Sequence, residues 1–173
     1  LTLGGGYGFF SRKYGLTCDS LVELTIVDGK GNIHHSKDNP DLLWACKGGG
    51  NGNFGIVSEM IFKTYDAPEH FTSHRFKALN VDANRVQTIM EKWFQLTTAL
   101  PVSCFSAFVH NGRTLNILLT DYENNASTVQ QFKETLAAFV DKITIGTPKP
   151  LAASLKNYYG IQYPIYFKNS SAG

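Results

Sequence analysis

Two glycine runs fall within the first third of the chain, LGGGYGFFSRKYG at residues 3–15 and KGGGNGNFGIV at residues 47–57. Glycine adopts left-handed backbone at little cost and lets another strand or a ligand approach with no Cβ in the way. A chain with two such runs so close together must turn sharply twice, or present bare main chain twice. Main-chain N–H groups ahead of a helix can cradle an anion, and FFSRKY after the first run predicts a short helix that Gly15 caps. Two tight turns in a packed sheet satisfy the same spacing. Neither run is a Walker loop, because no GK[ST] follows, and neither is a Rossmann fingerprint, because no apolar strand precedes the first.

The segment between and after the runs reads as strands and turns. LVELTIV, residues 21–27, is β-branched and apolar, Asp28-Gly29 supplies a turn, and residues 32–35 return as a short strand. Asp38-Asn39-Pro40 starts a helix over DLLWACK that the glycines at 48–50 end. Residues 54–65 predict a long strand, with Ile56, Met60 and Phe62 on one face and Val57, Ile61 and Tyr65 on the other, both covered. Asp66-Ala67-Pro68-Glu69 breaks the pattern and marks a boundary, giving domains at 1–67 and 68–173.

Beyond the boundary the rhythm changes. Residues 71–79 form a strand. Residues 82–100 form an amphipathic helix carrying Val86, Ile89, Met90, Trp93, Phe94 and Leu96, ended by Pro101. Strands at 103–109 and 114–120 join around Asn111-Gly112. A capping box from Ser127 to Gln130 opens a helix carrying Val129, Phe132, Leu136, Phe139 and Val140, and KITIG at 142–146 is a last strand. The order β-α-β-β-α-β is the ferredoxin-like split motif, an α+β fold with an antiparallel sheet. ASLKNYY then predicts a short helix capped near Gly160.

Side-chain chemistry is sparse. A 43% apolar share in 173 residues describes a folded chain, and a net charge of +2 without runs of one sign argues against a nucleic-acid surface. No apolar stretch approaches the ~20 residues of a membrane helix. Cys18, Cys46 and Cys104 are widely spaced and form no CxxC, so they read as buried thiols and no metal site is expected. His34 and His35 are adjacent and point to opposite strand faces, which is wrong for one metal. The tyrosines at 158, 159, 163 and 166 suit an aromatic pocket wall or a core edge. Arg12 and Lys13 could offset phosphate charge or lie in solvent. No catalytic residue can be named from spacing.

GGGYGFFSRKYGLTCDSLVELTIVDGKGNI followed by NPDLLWACKGGGNGNFGIVSEMIFK resembles the berberine-bridge-enzyme-like FAD-linked oxidases of the vanillyl-alcohol oxidase superfamily. The resemblance is dense over residues 3–63 and looser beyond. It implies the second part of a PCMH-type FAD-binding domain, then the first part of a substrate-binding domain. It further implies FAD contacts from the main chain of Gly5, Gly6, Tyr7, Gly8 and Phe9, a turn closed by Gly15, and contact with the adenine end around Gly55, Ile56 and Val57. The parent would be an oxidoreductase that oxidises a small alcohol, sugar or amine by hydride transfer to flavin. The family's flavin-bonding histidine and cysteine lie upstream of residue 1, so the expectation is an internal piece of a longer protein that binds FAD weakly alone; Cys18 is not that cysteine. The alternative is a non-catalytic ferredoxin-like module that binds another protein, with structural glycine turns. Neither compartment nor oligomeric state follows.

Overall fold

A computed structural model describes residues 1–159, with the side chains of the last four left aside. The chain divides between Asp66 and Ala67 into two compact units. The expected Gly160 cap, Tyr163, Tyr166 and the tail after them lie outside the described residues.

The first unit is a three-stranded antiparallel sheet. β1 (Leu21–Val27) lies in the middle, between β2 (Ile33–His35) and β3 (Ile56–Phe62). The Asp28 turn is stapled by its own carboxylate, which accepts the N–H groups of Lys30 at 2.8 Å and Asn32 at 2.9 Å. Before the sheet comes α1 (Ser11–Tyr14), and after β2 comes α2 (Pro40–Cys46), with proline in its first turn. Leu42 and Cys46, one turn apart on α2, pack with Leu21, Leu24 and Ile26 of β1.

The expectation that β3 is covered on both faces is overturned, and two bulges are the reason. Opposite β1, the register slips at Ser58, so Val57 and Met60 both turn toward the core despite their odd spacing. A compensating slip at Val22 lets Leu21 and Leu24 share the inner face. Ile56 is left 76% exposed, and Ile61 and Phe62 are also exposed. The strand is also shorter than expected, because Gly55 precedes it in a conformation no ladder uses.

The second unit follows the split order, with β4 (His70–Ala78), α3 (Ala83–Thr98), β5 (Cys104–Asn111), β6 (Thr114–Asp121), α4 (Ala126–Leu136) and β7 (Lys142–Thr144). The sheet runs β5-β6-β4-β7, antiparallel throughout. A two-residue β8 (Lys149–Pro150) also pairs with β4 and leads into α5 (Leu151–Tyr159). Asp82 caps α3 by accepting the Arg85 N–H. Ile89 and Leu96 of α3, with Phe132 and Leu136 of α4, bury against Phe76, Ala78, Leu115, Ile117 and Leu119 of the sheet. Phe94, expected on that helix face, is exposed, while Trp93 turns in and donates its indole N–H to Ser106 Oγ at 2.8 Å. Arg85 braces the rim by donating to the Phe139 and Leu79 carbonyls and to Asp141. The Leu79 N–H bond, then the Arg85 guanidinium, hold the Asp141 carboxyl below the usual carboxylate range.

The Ser127 capping box does not form. α4 starts two residues earlier than that box requires, with Asn125 as its N-cap, and its entry is held from the sheet. Buried Asp121, the last residue of β6, accepts the Asn125 N–H at 2.6 Å, the Asn125 side-chain amide at 2.7 Å and the Glu123 N–H at 3.1 Å. An anchor at the strand end, four residues before Asn125, thus replaces the expected cap.

His74 faces the same core and is 4% exposed. Its Nδ1 accepts the Gly146 N–H, which puts the ring proton on Nε2, and Nε2 has no partner among the described residues. Burial pushes its pKa down, and the Asp121 carboxylate only partly opposes this.

Two outcomes are expected. Asp121→Ala should lower the unfolding free energy of the second unit by about 2–4 kcal/mol, read by denaturant titration, because it removes the buried acceptor of three hydrogen bonds that hold the entry of α4. The unfolded histidine titrates near ~6.5, whereas folded His74 stays neutral to lower pH. The resulting stability is complete above ~6.5 and is lost as pH falls toward the folded value, by up to ~1.4 kcal/mol per pH unit. Thermal melts from pH 8 to 5 should show this slope reduced in His74→Leu; an unchanged slope would contradict it.

Candidate functional site

The first glycine run is anchored by Thr17 and Cys18. Gly5 and Gly6 are buried, and their carbonyls accept the N–H groups of Cys18 at 2.9 Å and Thr17 at 2.8 Å, with the Thr17 hydroxyl adding a bond to Gly6 at 2.9 Å. Gly6 sits at φ +77°, and a Cβ there would come within 2.8 Å of Thr17 Oγ1, so only glycine fits. The main-chain N–H groups of Gly6 and Tyr7 meet no acceptor among the described residues, and the Tyr7 side chain is exposed. Phe9 is half-buried, and Gly15 closes α1 by donating to the Ser11 carbonyl.

The helix-assisted anion cradle is corrected on two counts. α1 is a single turn of four residues, which carries little of a helix dipole, and Ser11 Oγ already accepts the Gly8 N–H at 2.8 Å. What the run offers is unpaired main-chain donors at Gly6 and Tyr7.

The second run meets the first. Gly50 donates its N–H to the Leu3 carbonyl at 2.9 Å, so the two runs join at that pair of residues. Asn53 braces the turn through its side-chain amide on the Gly49 carbonyl at 2.7 Å. Gly55 stands at φ +139° where a Cβ would run into the Val27 carbonyl oxygen. Ile56 and Val57 then enter the ladder opposite Val27 and Ile26. Among the described strands β3 is an edge, so its outward main-chain groups stay available.

Side chains add one feature that spacing did not reveal. The rings of Tyr14 and Tyr65 stack with centroids 4.2 Å apart, with the Lys13 ammonium 5.4 Å from the first and the Lys63 ammonium 5.5 Å from the second. Some fifty positions of chain separate the two tyrosines, so no local pattern could pair them. His34 Nε2 lies 2.9 Å from Asp28 Oδ2; this contact, then the Asn32 side-chain amide, holds the Asp28 carboxyl well below the carboxylate range. All three cysteines are buried thiols, and burial pushes the Cys46 thiol up. Among the described residues no His, Cys, Asp or Glu cluster could hold a metal ion, and no helix is long and apolar enough to cross a membrane.

In mixed helix and antiparallel sheet this fold matches the berberine-bridge-enzyme-like FAD-binding oxidases. It superposes on chitooligosaccharide oxidase with a TM-score of 0.78 at 25% identity, over 94% of this chain and 35% of that one. By sequence the chain is a relative of the berberine bridge enzyme-like and FAD-linked oxidoreductases. It is 49% identical over 74 residues to an uncharacterized FAD-linked oxidoreductase, YvdP, of Bacillus subtilis, covering 42% of this chain and 17% of that protein. It is 44% identical over 91 residues to berberine bridge enzyme-like 12 of Arabidopsis thaliana, covering 52% of this chain and 17% of that one. The chain therefore spans about a sixth of the length of these curated relatives. No protein-family model matches it.

Gly55→Ala should destabilise the first unit by about 2 kcal/mol or more, since it adds both a disfavoured backbone conformation and a clash with β1. Faster hydrogen exchange across β1 and β3, with the second unit's amides unchanged, is the expected readout.

Proposed function

We propose that the chain is the part of an FAD-dependent oxidoreductase that presents main chain to the cofactor and begins the substrate-binding portion. The observation that carries this is the Gly50–Leu3 bond, which joins two glycine runs in a chain whose relatives are named FAD-linked. Residues 1–67 are read as the second part of a PCMH-type FAD-binding domain, and 68–173 as the start of the substrate domain.

The residues present suit such a group. Gly5, Gly6, Tyr7, Gly8 and Phe9 offer bare backbone, with free donors at Gly6 and Tyr7, and Gly15 fixes the turn behind them. Ile56 and Val57 lie on an open strand edge, and Gly55 immediately precedes it. Bound FAD supplies the hydride acceptor that no side chain here provides. This chain's share is to hold and orient it; no described side chain is assigned as base or acid. The substrate is read as a small molecule, and the name of the chitooligosaccharide oxidase favours a sugar over an alcohol or amine. A purely structural, protein-binding module is not favoured, because the matched relatives are named oxidoreductases.

Titrating FAD into the isotope-labelled chain should shift the amides of residues 5–9 and 55–57, with affinity weakened at least about tenfold in Gly6→Val. Shifts confined to the second unit, or none at saturating FAD, would sink this reading.

A further inference from the structure

The outer face of β4, opposite the one that buries Phe76, carries Phe71, Ser73 and Arg75. Two edge pairings bring further side chains to that face. β7 sets Thr144 opposite Arg75, and β8 sets Lys149 opposite Phe71. Between these strands the chain loops out through residues 145–147, and Gly146 passes so close that a Cβ would meet the Ser73 carbonyl. Ser154 of α5 closes the far side, its hydroxyl donating to the Phe71 carbonyl at 3.0 Å. The result is a cavity of about 350 Å³, within the roughly 300–1,000 Å³ of small-molecule sites.

Its chemistry is lopsided. Arg75 and Lys149 line it, no acidic residue does among the described residues, and Thr144 and Thr147 add hydroxyls. Lys37 and Arg85 are ion-paired with Glu23 and Asp141, whereas neither Arg75 nor Lys149 has a carboxylate partner among the described residues. Two cations facing one cavity repel, and an anion bound there relieves that repulsion while gaining charge-assisted hydrogen bonds. Arg75 offers a planar fork that suits a carboxylate, and Lys149 adds a point charge on the same cavity. The threonine hydroxyls suit the ring hydroxyls of a sugar, and exposed Ile145 gives an apolar side.

We propose that this cavity is a carboxylate subsite for an acidic saccharide, a uronate unit. As an assignment of substrate class it rests on reading residues 68–173 as substrate-binding, but the binding itself needs no flavin.

The test titrates the labelled 173-residue chain with D-glucuronate, D-glucose and inorganic phosphate in turn. Glucuronate should shift the amides of Ser73, Arg75, Thr144, Gly146 and Lys149 and bind at least about tenfold tighter than glucose, with affinity falling as salt is added. Arg75→Gln and Lys149→Gln should each weaken glucuronate about tenfold, whereas Arg113→Gln, at the β5–β6 turn, should not. If one variant misfolds, judged by its spectrum, the other carries the comparison. Glucose binding as tightly as glucuronate, or folded variants binding like the wild type, overturns the carboxylate; phosphate binding as tightly as glucuronate overturns the saccharide. A chain that binds glucuronate but not FAD retains the subsite and loses the flavin reading, and the converse loses only the subsite.

Discussion

The alternation of β4 is the constraint on which the second unit depends. A pleated strand must send successive side chains to opposite faces, and here the two sets have opposite character. Thr72, His74, Phe76 and Ala78 are buried on the helix side, and Ser73, Arg75 and Lys77 take the other. A slip of one residue would place a guanidinium and an ammonium against Ile89 and Phe132 and turn Phe76 to water. The inner set therefore fixes where the outer set must stand. Core packing and the polar face are one decision, made once along a single strand.

The first unit solves a different problem. Its apolar residues do not fall at even spacing, and two bulges absorb the mismatch so that Leu21, Leu24, Ile26, Val57 and Met60 share one core. The glycines do comparable work on the backbone. At Gly6 and Gly55 the chain passes so close to a hydroxyl or a carbonyl that a methyl group cannot be accommodated. Backbone brought this near to itself is also backbone that a ligand can approach, which links the local packing to the cofactor reading.

Much of this was legible in the residues. Asp28-Gly29, Pro40, Asp82 and the Asn111-Gly112 pair each act within a few positions, and the elements they bound follow the expected order. The hairpin turn itself falls one residue later, at Gly112-Arg113, because Asn111 still pairs with Thr114. What could not be read was set by partners far along the chain. A bulge at Ser58 is a fact about β1 as much as β3. Asp121 is the exception, since it lies only four residues before Asn125; it overrides the Ser127 box because the end of β6 buries its carboxylate at the helix entry. Arg75 and Lys149 line one cavity only because β8 returns to β4, and Tyr14 meets Tyr65 only after the first sheet closes. The main-chain assignment at Gly5 through Phe9 came from resemblance, since backbone donors leave no compositional trace.

The place of β4 in its sheet has a consequence for how the chain is made. It is the first strand of its unit to be synthesised, yet its neighbours on the two edges are β6 on one side and β7 with β8 on the other. A nascent β4 must therefore stay open until β6 arrives, while the β5–β6 hairpin can close on its own at once. The hairpin pairs residues close in sequence, whereas β4 draws every one of its strand partners from segments made after it. The segment that carries both the core phenylalanine and the arginine is thus the one longest exposed before folding, which makes it the point at which a slow ribosome or a chaperone has most to influence.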